Sequence, residues 1–443
     1  MLLSVRPAQG QQAVVERNTN LRPSPSSAEA PVRLLRPGEP LLLLSSAPVN
    51  RYFNVGTTDN LEGWAYGPNI RMVEPVDTVP PPSQPPFPSA RESPPPGWTG
   101  TVFALSQAYP ASMPPPEARP WEAFDFRTQA DDYIRSLFRY ALEGNEAVEW
   151  RGERNPVRKW YHVPWLHTSS NGREFVRGLT RERSSRPREL HPAQDVTVAN
   201  YAVGMYNPAG GFVIGQVWKD HQNPDPSKAL FPVGTVAVKL LFTTATVAQV
   251  PYLTGTLEWD AFVALSAAGS TTRSIRTVRL LQMDLAVREA RADSATGWVF
   301  GTFAYDGNAP GPEIWDRMIP VGLSWGNDPS LTPEAHAQGR RAAESVILNP
   351  VIGIPQHLGW LGRLNGPIDN PRSACLSCHG TAQFPSVSGP LPANSLPSGQ
   401  KMRWFRNVPA GVPFDSGQVS LDYSLQLQTG IERYHQDNQP SPR

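Results

Sequence analysis

Between residues 13 and 74, apolar residues arrive in short bursts separated by Gly, Pro and polar turns. They are Val14-Val15, Asn20-Leu21-Arg22, Val32-Arg33-Leu34-Leu35, Leu41 to Leu44, Tyr52-Phe53-Asn54-Val55, Glu62-Gly63-Trp64-Ala65-Tyr66-Gly67 and Ile70 to Val73. Strands at this spacing predict a small β-barrel. From 128 to 144 the period changes: Tyr133, Ile134, Leu137, Phe138, Ala141 and Leu142 recur at helical spacing, and Gly144 stands where a C-cap would. From Val196 to Tyr305 the period falls to two. Thr272 to Glu289 alternates, with Ile275, Thr277, Leu281, Met283, Leu285 and Val287 on one face and Arg279 as the exception. Met205-Tyr206, Phe212 to Trp218, Thr235 to Phe242 and Trp298 to Tyr305 predict further strands, and Asn207-Pro208-Ala209-Gly210-Gly211 predicts a hairpin turn. The last hundred residues are irregular and helical, with a terminal helix over Leu421 to Tyr434.

The expected fold class is therefore α+β and multidomain: a barrel over 13–74, a β-rich body with one early helix over 99–340, and a helical segment over 341–443. Between barrel and body, ten of the 22 residues from Pro75 to Pro96 are proline. That density favours polyproline II, so residues 75–98 are expected to act as a semi-rigid linker. No fixed-period repeat appears.

Composition narrows the function classes. Among 443 residues, 40 Lys and Arg nearly balance 39 Asp and Glu, which leaves no electrostatic footprint for nucleic acid or anionic membrane. Two cysteines are too few for a disulfide framework. No apolar run approaches the ~18 residues that span a bilayer, and the longest, Val236 to Phe242, is interrupted by Lys239. No P-loop or dinucleotide fingerprint is present.

Both cysteines fall in Ser373-Ala374-Cys375-Leu376-Ser377-Cys378-His379-Gly380. Covalent haem attachment needs two thiols at a fixed separation to add across the vinyl groups, and an adjacent imidazole for the iron. C-x-x-C-H supplies both. A zinc site would need a further ligand and usually a second Cys/His pair at short spacing. A thioredoxin-like redox pair would follow a strand, whereas Leu364-Asn365-Gly366-Pro367 reads as a loop. The expected cofactor is thus one covalent haem c with its iron, bound by Cys375 and Cys378, with His379 as proximal ligand. Met402, the one methionine after His379, is the candidate distal ligand, and its alternative role is packing on the haem or core. His357 is a second distal candidate, and His435 is placed beyond the terminal helix near a polar tail. His162 and His167 do not share a face and read as structural. The arginines of 151–188 could neutralise haem propionates or form an exposed charged face.

Three resemblances add to this. Asn20-Leu21-Arg22 and Gly63-Trp64-Ala65-Tyr66-Gly67 resemble the N-L-R and G-W-x-x-G of the bacterial SH3-like family, which implies a barrel that binds peptide, glycan or a partner domain. Residues 99–443 look similar to bacterial cytochrome c family proteins. The matching stretches are Gly172-Arg173-Glu174-Phe175, Gly178-Leu179-Thr180-Arg181-Glu182, Val217-Trp218-Lys219-Asp220, Ser324-Trp325-Gly326-Asn327-Asp328 and the cysteine motif. That likeness implies covalent haem and assembly outside the cytoplasm. More weakly, Phe231-Pro232-Val233-Gly234-Thr235-Val236-Ala237-Val238-Lys239 and Gly297-Trp298-Val299-Phe300-Gly301 resemble strands of the cytochrome P460 family. The cysteines follow the second of these by about 75 residues, more than that family carries. That likeness implies a five-coordinate haem that oxidises small nitrogen compounds; Lys239 itself reads as a strand residue facing solvent.

The leading expectation is an electron-transfer cytochrome, periplasmic or otherwise extracytoplasmic, with an unidentified redox partner. The alternatives are a haem enzyme or small-ligand binder with open iron, and an envelope-binding haem sensor whose barrel attaches to cell-wall material or protein. Extracytoplasmic maturation calls for a secretory signal, yet MLLSVRPAQGQQ carries no apolar stretch of about 7–15 residues. The start shown is expected to be internal or trimmed, with Ala8-Gln9-Gly10 as the tail of a signal.

Overall fold

The computed structural model describes residues 12–45, 47–57, 59, 61–73, 84, 86–169, 171–264, 272–350 and 357–438. Residues Ala8 to Gly10 and part of the proline segment, 74–83 and Pro85, lie outside the described residues. The chain is a mixture of helix and sheet, with many strands, few helices and more than one sheet. No helix among the described residues is long and apolar enough to cross a membrane.

Chain contacts divide the molecule into two compact units that are not in series: Met1–Ser83 with Arg139–Trp160, and Gln84–Phe138 with Tyr161–Arg443. The first unit contains β1 (Gln12–Val15), β2 (Thr19–Leu21), β3 (Arg33–Leu35), β4 (Pro40–Leu43), β5 (Tyr52–Thr57), β6 (Glu62–Tyr66) and β7 (Ile70–Val73). Five of them form an antiparallel sheet in the order β6-β5-β4-β1-β7, and β2 and β3 form a separate hairpin. Inward residues at alternate positions enclose one apolar core: Ala13, Val15, Leu21, Leu35, Leu41, Leu43, Val55, Ala65 and Ile70. Gly63 packs so tightly on the hairpin that a Cβ there would lie 2.7 Å from the Arg22 carbonyl oxygen. In the 139–160 segment Arg158 donates to the Tyr140 carbonyl and pairs with Glu143.

Helix α1 (Ala130–Leu142) ends where expected: Gly144 follows with φ of 75°, a left-handed C-terminal position that glycine tolerates. Its first part belongs to the second unit. That unit is built on β8 (Thr180–Arg181), β9 (Asn200–Tyr206), β10 (Val236–Thr243), β11 (Glu258–Ala264), β12 (Arg273–Arg288), β13 (Trp298–Tyr305), β14 (Met318–Ser324) and β15 (Ser345–Ile347). The eight-stranded antiparallel sheet runs β15-β14-β13-β12-β10-β9-β8, with β11 paired on the first half of β12. Ile134 and Phe138 cover one sheet face, against Gly301 and stacked 4.4 Å from Phe303. The opposite face carries α2 (Pro208–Val217) and the C-terminal segment, joined in one core with Tyr206, Ala286, Trp298 and Phe300.

Two sequence expectations are corrected here. The hairpin turn at Asn207 and the strand over Phe212 to Trp218 are in fact α2. The Asn207 side chain accepts from the Gly210 N–H and Pro208 occupies the first turn, so an N-cap outweighs the apolar run. In β12 the register shifts beside Leu241 and Phe242, which pair with Gln282 and Leu280 and leave Leu281 as an extra residue. Facing therefore switches there. Val278 and Leu280 are buried before the bulge, Met283, Leu285 and Val287 after it, and Ile275 is exposed beside the outward Arg279.

The described part of the proline segment is not a free spacer. Phe87 is buried, edge-on to Trp218 and stacked on His221, while the Phe87 and Arg91 amides bond Gln107 and the Arg173 carbonyl.

Beyond β14 lie α3 (Pro333–Ala337), α4 (Cys375–His379), β16 (Gln383–Phe384), α5 (Ser398–Lys401), β17 (Val419–Ser420) and α6 (Leu425–Asn438).

Candidate functional site

The cysteine motif is one helical turn, α4. Its entry is fixed by Ser377, whose Oγ accepts from the Ala374 N–H and donates to the Ala374 carbonyl. Positions i, i+3 and i+4 of a helix share a face. Cys375, Cys378 and His379 accordingly sit together on the partly exposed side, while Leu376 and Ser377 are buried beneath.

The imidazole of His379 is held by the Tyr423 carbonyl, 3.0 Å from Nδ1, and its ring lies 4.9 Å from Phe300. A carbonyl can only accept, so Nδ1 carries the proton and Nε2 keeps its lone pair. No hydrogen bond to Nε2 occurs among the described residues. Burial pushes the His379 pKa down to about 4, which keeps the ring neutral.

Both thiols are free. Burial pushes Cys378 up to about 12 and Cys375 well above its ordinary value. Reactive redox thiols have lowered pKa values, so these two lack the electrostatics of a thioredoxin-like pair. Cys375 Sγ lies 4.0 Å from Thr302 Oγ1 and 3.8 Å from Asn365 Oδ1.

The sheet presents a polar row next to the motif. Gly204, Lys239, Asp284 and Thr302 are register partners across β9, β10, β12 and β13. Lys239 does not simply face solvent. Its ammonium pairs with Glu182 at 2.9 Å, and although burial alone would lower its pKa, Glu182, Asp369 and Asp284 together hold it above its ordinary value. Asp284 is pushed up to about 7 by burial and by Asp369. One amide joins these two carboxylates: Gln282 Nε2 lies 2.9 Å from Asp284 Oδ1 and 2.9 Å from Asp369 Oδ2. Thr302 Oγ1 donates to Asp284 at 2.9 Å. Close packing surrounds the row, since a Cβ on Gly204 would lie 1.9 Å from Gln426 Nε2.

Among the arginines of 151–188, Arg183 reaches this neighbourhood, donating to the Ile368 and Asp369 carbonyls and pairing with Glu189. Met402 lies in an apolar cluster with Ala374, Trp404, Phe405, Val408 and Phe414, none of which belongs to the polar row. His357 is buried with Nε2 on the Asn349 carbonyl. His435 is inside α6, not beyond it, and stacks on Phe384. His162 is a core residue whose Nδ1 accepts from the Ser106 amide. Among the described residues, no group of three or more His, Cys, Asp and Glu side chains is placed to hold a bare metal ion.

Asp284, Asp369, Thr302 and Tyr423 were not found from the sequence. Asp284 had a signal: a carboxylate inside the run Leu280 to Val287, which is apolar apart from it and Gln282. Tyr423 had none, because its contribution is a backbone carbonyl.

Comparison with protein-family models, with curated proteins and with solved structures finds no match to this chain.

Proposed function

We propose that the chain is a c-type cytochrome carrying one haem, bound covalently through Cys375 and Cys378 with His379 as the iron's proximal ligand. The observation that carries this reading is the single accessible face of α4, which offers two un-ionised thiols and an imidazole with Nε2 unprotonated. Thiols add across vinyl groups and the Nε2 lone pair binds iron, so the donor set suits haem. When bound, the haem supplies an iron that changes oxidation state, which is the basis of electron transfer. The protein's own part is to hold the imidazole neutral and oriented, and to bury one side of the motif. Maturation would take place outside the cytoplasm, where a redox partner would be met. The first unit, with its resemblance to bacterial SH3-like barrels, would bind cell-wall material, peptide or a partner domain.

The reading is tested on protein made with the haem-attachment machinery present. A haemochrome spectrum in alkaline pyridine and retention of colour through acid-acetone extraction are the expected results. The Cys375→Ala/Cys378→Ala double variant should release its pigment. A colourless wild type would overturn the proposal.

A second reading, iron open to small ligands, is favoured by the placement of Met402 in the apolar cluster and of Lys239, Asp284 and Asp369 beside the motif. Carbon monoxide binding to the ferrous form separates the two. If Met402 ligates, Met402→Ala should bind the gas much faster than wild type; if the iron is open, both should bind alike.

A further inference from the structure

Asp422 and Tyr423 are consecutive non-glycine residues with φ of 45° and 69°. Left-handed backbone is strained for such residues and persists only where the surroundings enforce it. The enforcing contacts come from three directions. The Asp422 carboxylate is 1% exposed. Its Oδ2 accepts from the Phe231 amide at 2.8 Å, and Oδ1 accepts from Trp298 Nε1 at 3.1 Å and the Gly411 amide at 3.2 Å. The Asp422 amide donates to Ser420 Oγ at 3.1 Å, and the Tyr423 hydroxyl donates to the Val408 carbonyl. Ser424 Oγ meets the Tyr206 hydroxyl at 2.7 Å. The product of this pinned turn is a carbonyl aimed at His379 Nδ1.

Resting on the haem reading above, we infer that Asp422 is a positioning residue for the iron ligand. Its carboxylate anchors the turn that directs the Tyr423 carbonyl, and that carbonyl sets the plane, tautomer and donor strength of the His379 imidazole. Hydrogen bonding at the far nitrogen makes a histidine ligand more basic. A more basic ligand stabilises ferric iron, so the intact turn holds the reduction potential down. A carboxylate suits this task because it accepts from three N–H groups at once. An asparagine of the same shape would turn its NH2 group towards one of them.

The test uses the full haem-loaded chain. Asp422→Asn should attach haem covalently at wild-type stoichiometry. Its midpoint potential should move upward, and the ferrous iron–histidine stretch should move to lower frequency. In 15N-labelled haem-free protein, His379 should change from the pure Nδ1–H tautomer to a mixture. Ser420→Ala removes the weaker anchor and should move the same readouts less, which keeps the test available if Asp422→Asn folds poorly. Thr256→Ala, which loses a bond to the Leu280 carbonyl away from this turn, should lower stability without moving the potential. A coloured wild type whose Asp422 and Ser420 variants keep its potential, stretch and tautomer overturns the inference. A colourless wild type overturns the haem reading and the inference with it.

Discussion

Two buried titrating residues impose opposite pH signatures. Asp284 has a folded pKa of about 7, above the roughly 3.9 of an unfolded aspartate. Its contribution to stability is fully present below that lower value and is lost as pH rises towards 7. Asp284→Asn should therefore flatten a decline in the urea midpoint between about pH 4 and 7, and an unchanged slope would contradict the burial argument. His162 behaves in the other sense. Burial, aided by Arg173, lowers its pKa to about 3, below the ordinary 6.5, so its contribution is present above 6.5 and is lost as pH falls. His162→Gln should be less stable at pH 7, where the Ser106 amide loses its acceptor, yet show a shallower acid limb in the same titration. At this scale the sequence brought Cys375, Cys378 and His379 together as one candidate donor set, because they fall within five residues and the structure puts them on one helical turn. It did not disclose Asp369 or Asp422, whose roles come from backbone donors and from residues tens or hundreds of positions away. Lys239 was visible as a residue but not in its surroundings, because its partner Glu182 lies 57 positions earlier, just past the end of β8.

Element by element, the strands were legible where aromatic and β-branched residues form a short apolar run, as in Trp298 to Tyr305, and α1 was legible through its apolar stripe. Helix α2 was not, because Phe212 to Trp218 is apolar on nearly every side once it is enclosed between sheet and C-terminal segment. Such a run has no period to read. What distinguishes it is the cap. Asn207 accepts from the Gly210 and Val236 amides and donates to the Gly234 carbonyl, tying the helix start to the loop before β10. Asn207→Ala should lower unfolding free energy by about 1–2 kcal/mol, the upper part of the N-cap range, as measured by urea denaturation. Asn207→Asp, which keeps the cap acceptor and loses the Gly234 bond, should fall between the two.

For the whole molecule, the linear division into barrel, linker, body and haem segment was a reading of local pattern and composition, and neither carries information about which distant segments pack together. Arg139–Trp160 belongs with the first unit although it follows the start of the second by more than fifty residues. A chain beginning at Gln84 would strip this segment of its companion strands. It should show a lower Tm than the full-length protein, with the change reported by Trp150 and Trp160 fluorescence. A truncated chain of unchanged Tm would instead mark Arg139–Trp160 as self-sufficient. The extra residue at Leu281 has its own reach, because it acts on β12 as a change of reading frame acts on a message. Deleting Leu281 would exchange the two sides of everything that precedes it up to the turn, or of everything that follows. In the second case Met283 and Leu285 would meet the cysteines, and Asp284 would be driven among Ile134 and its apolar neighbours. One surplus peptide unit thus decides whether a carboxylate faces chemistry or oil.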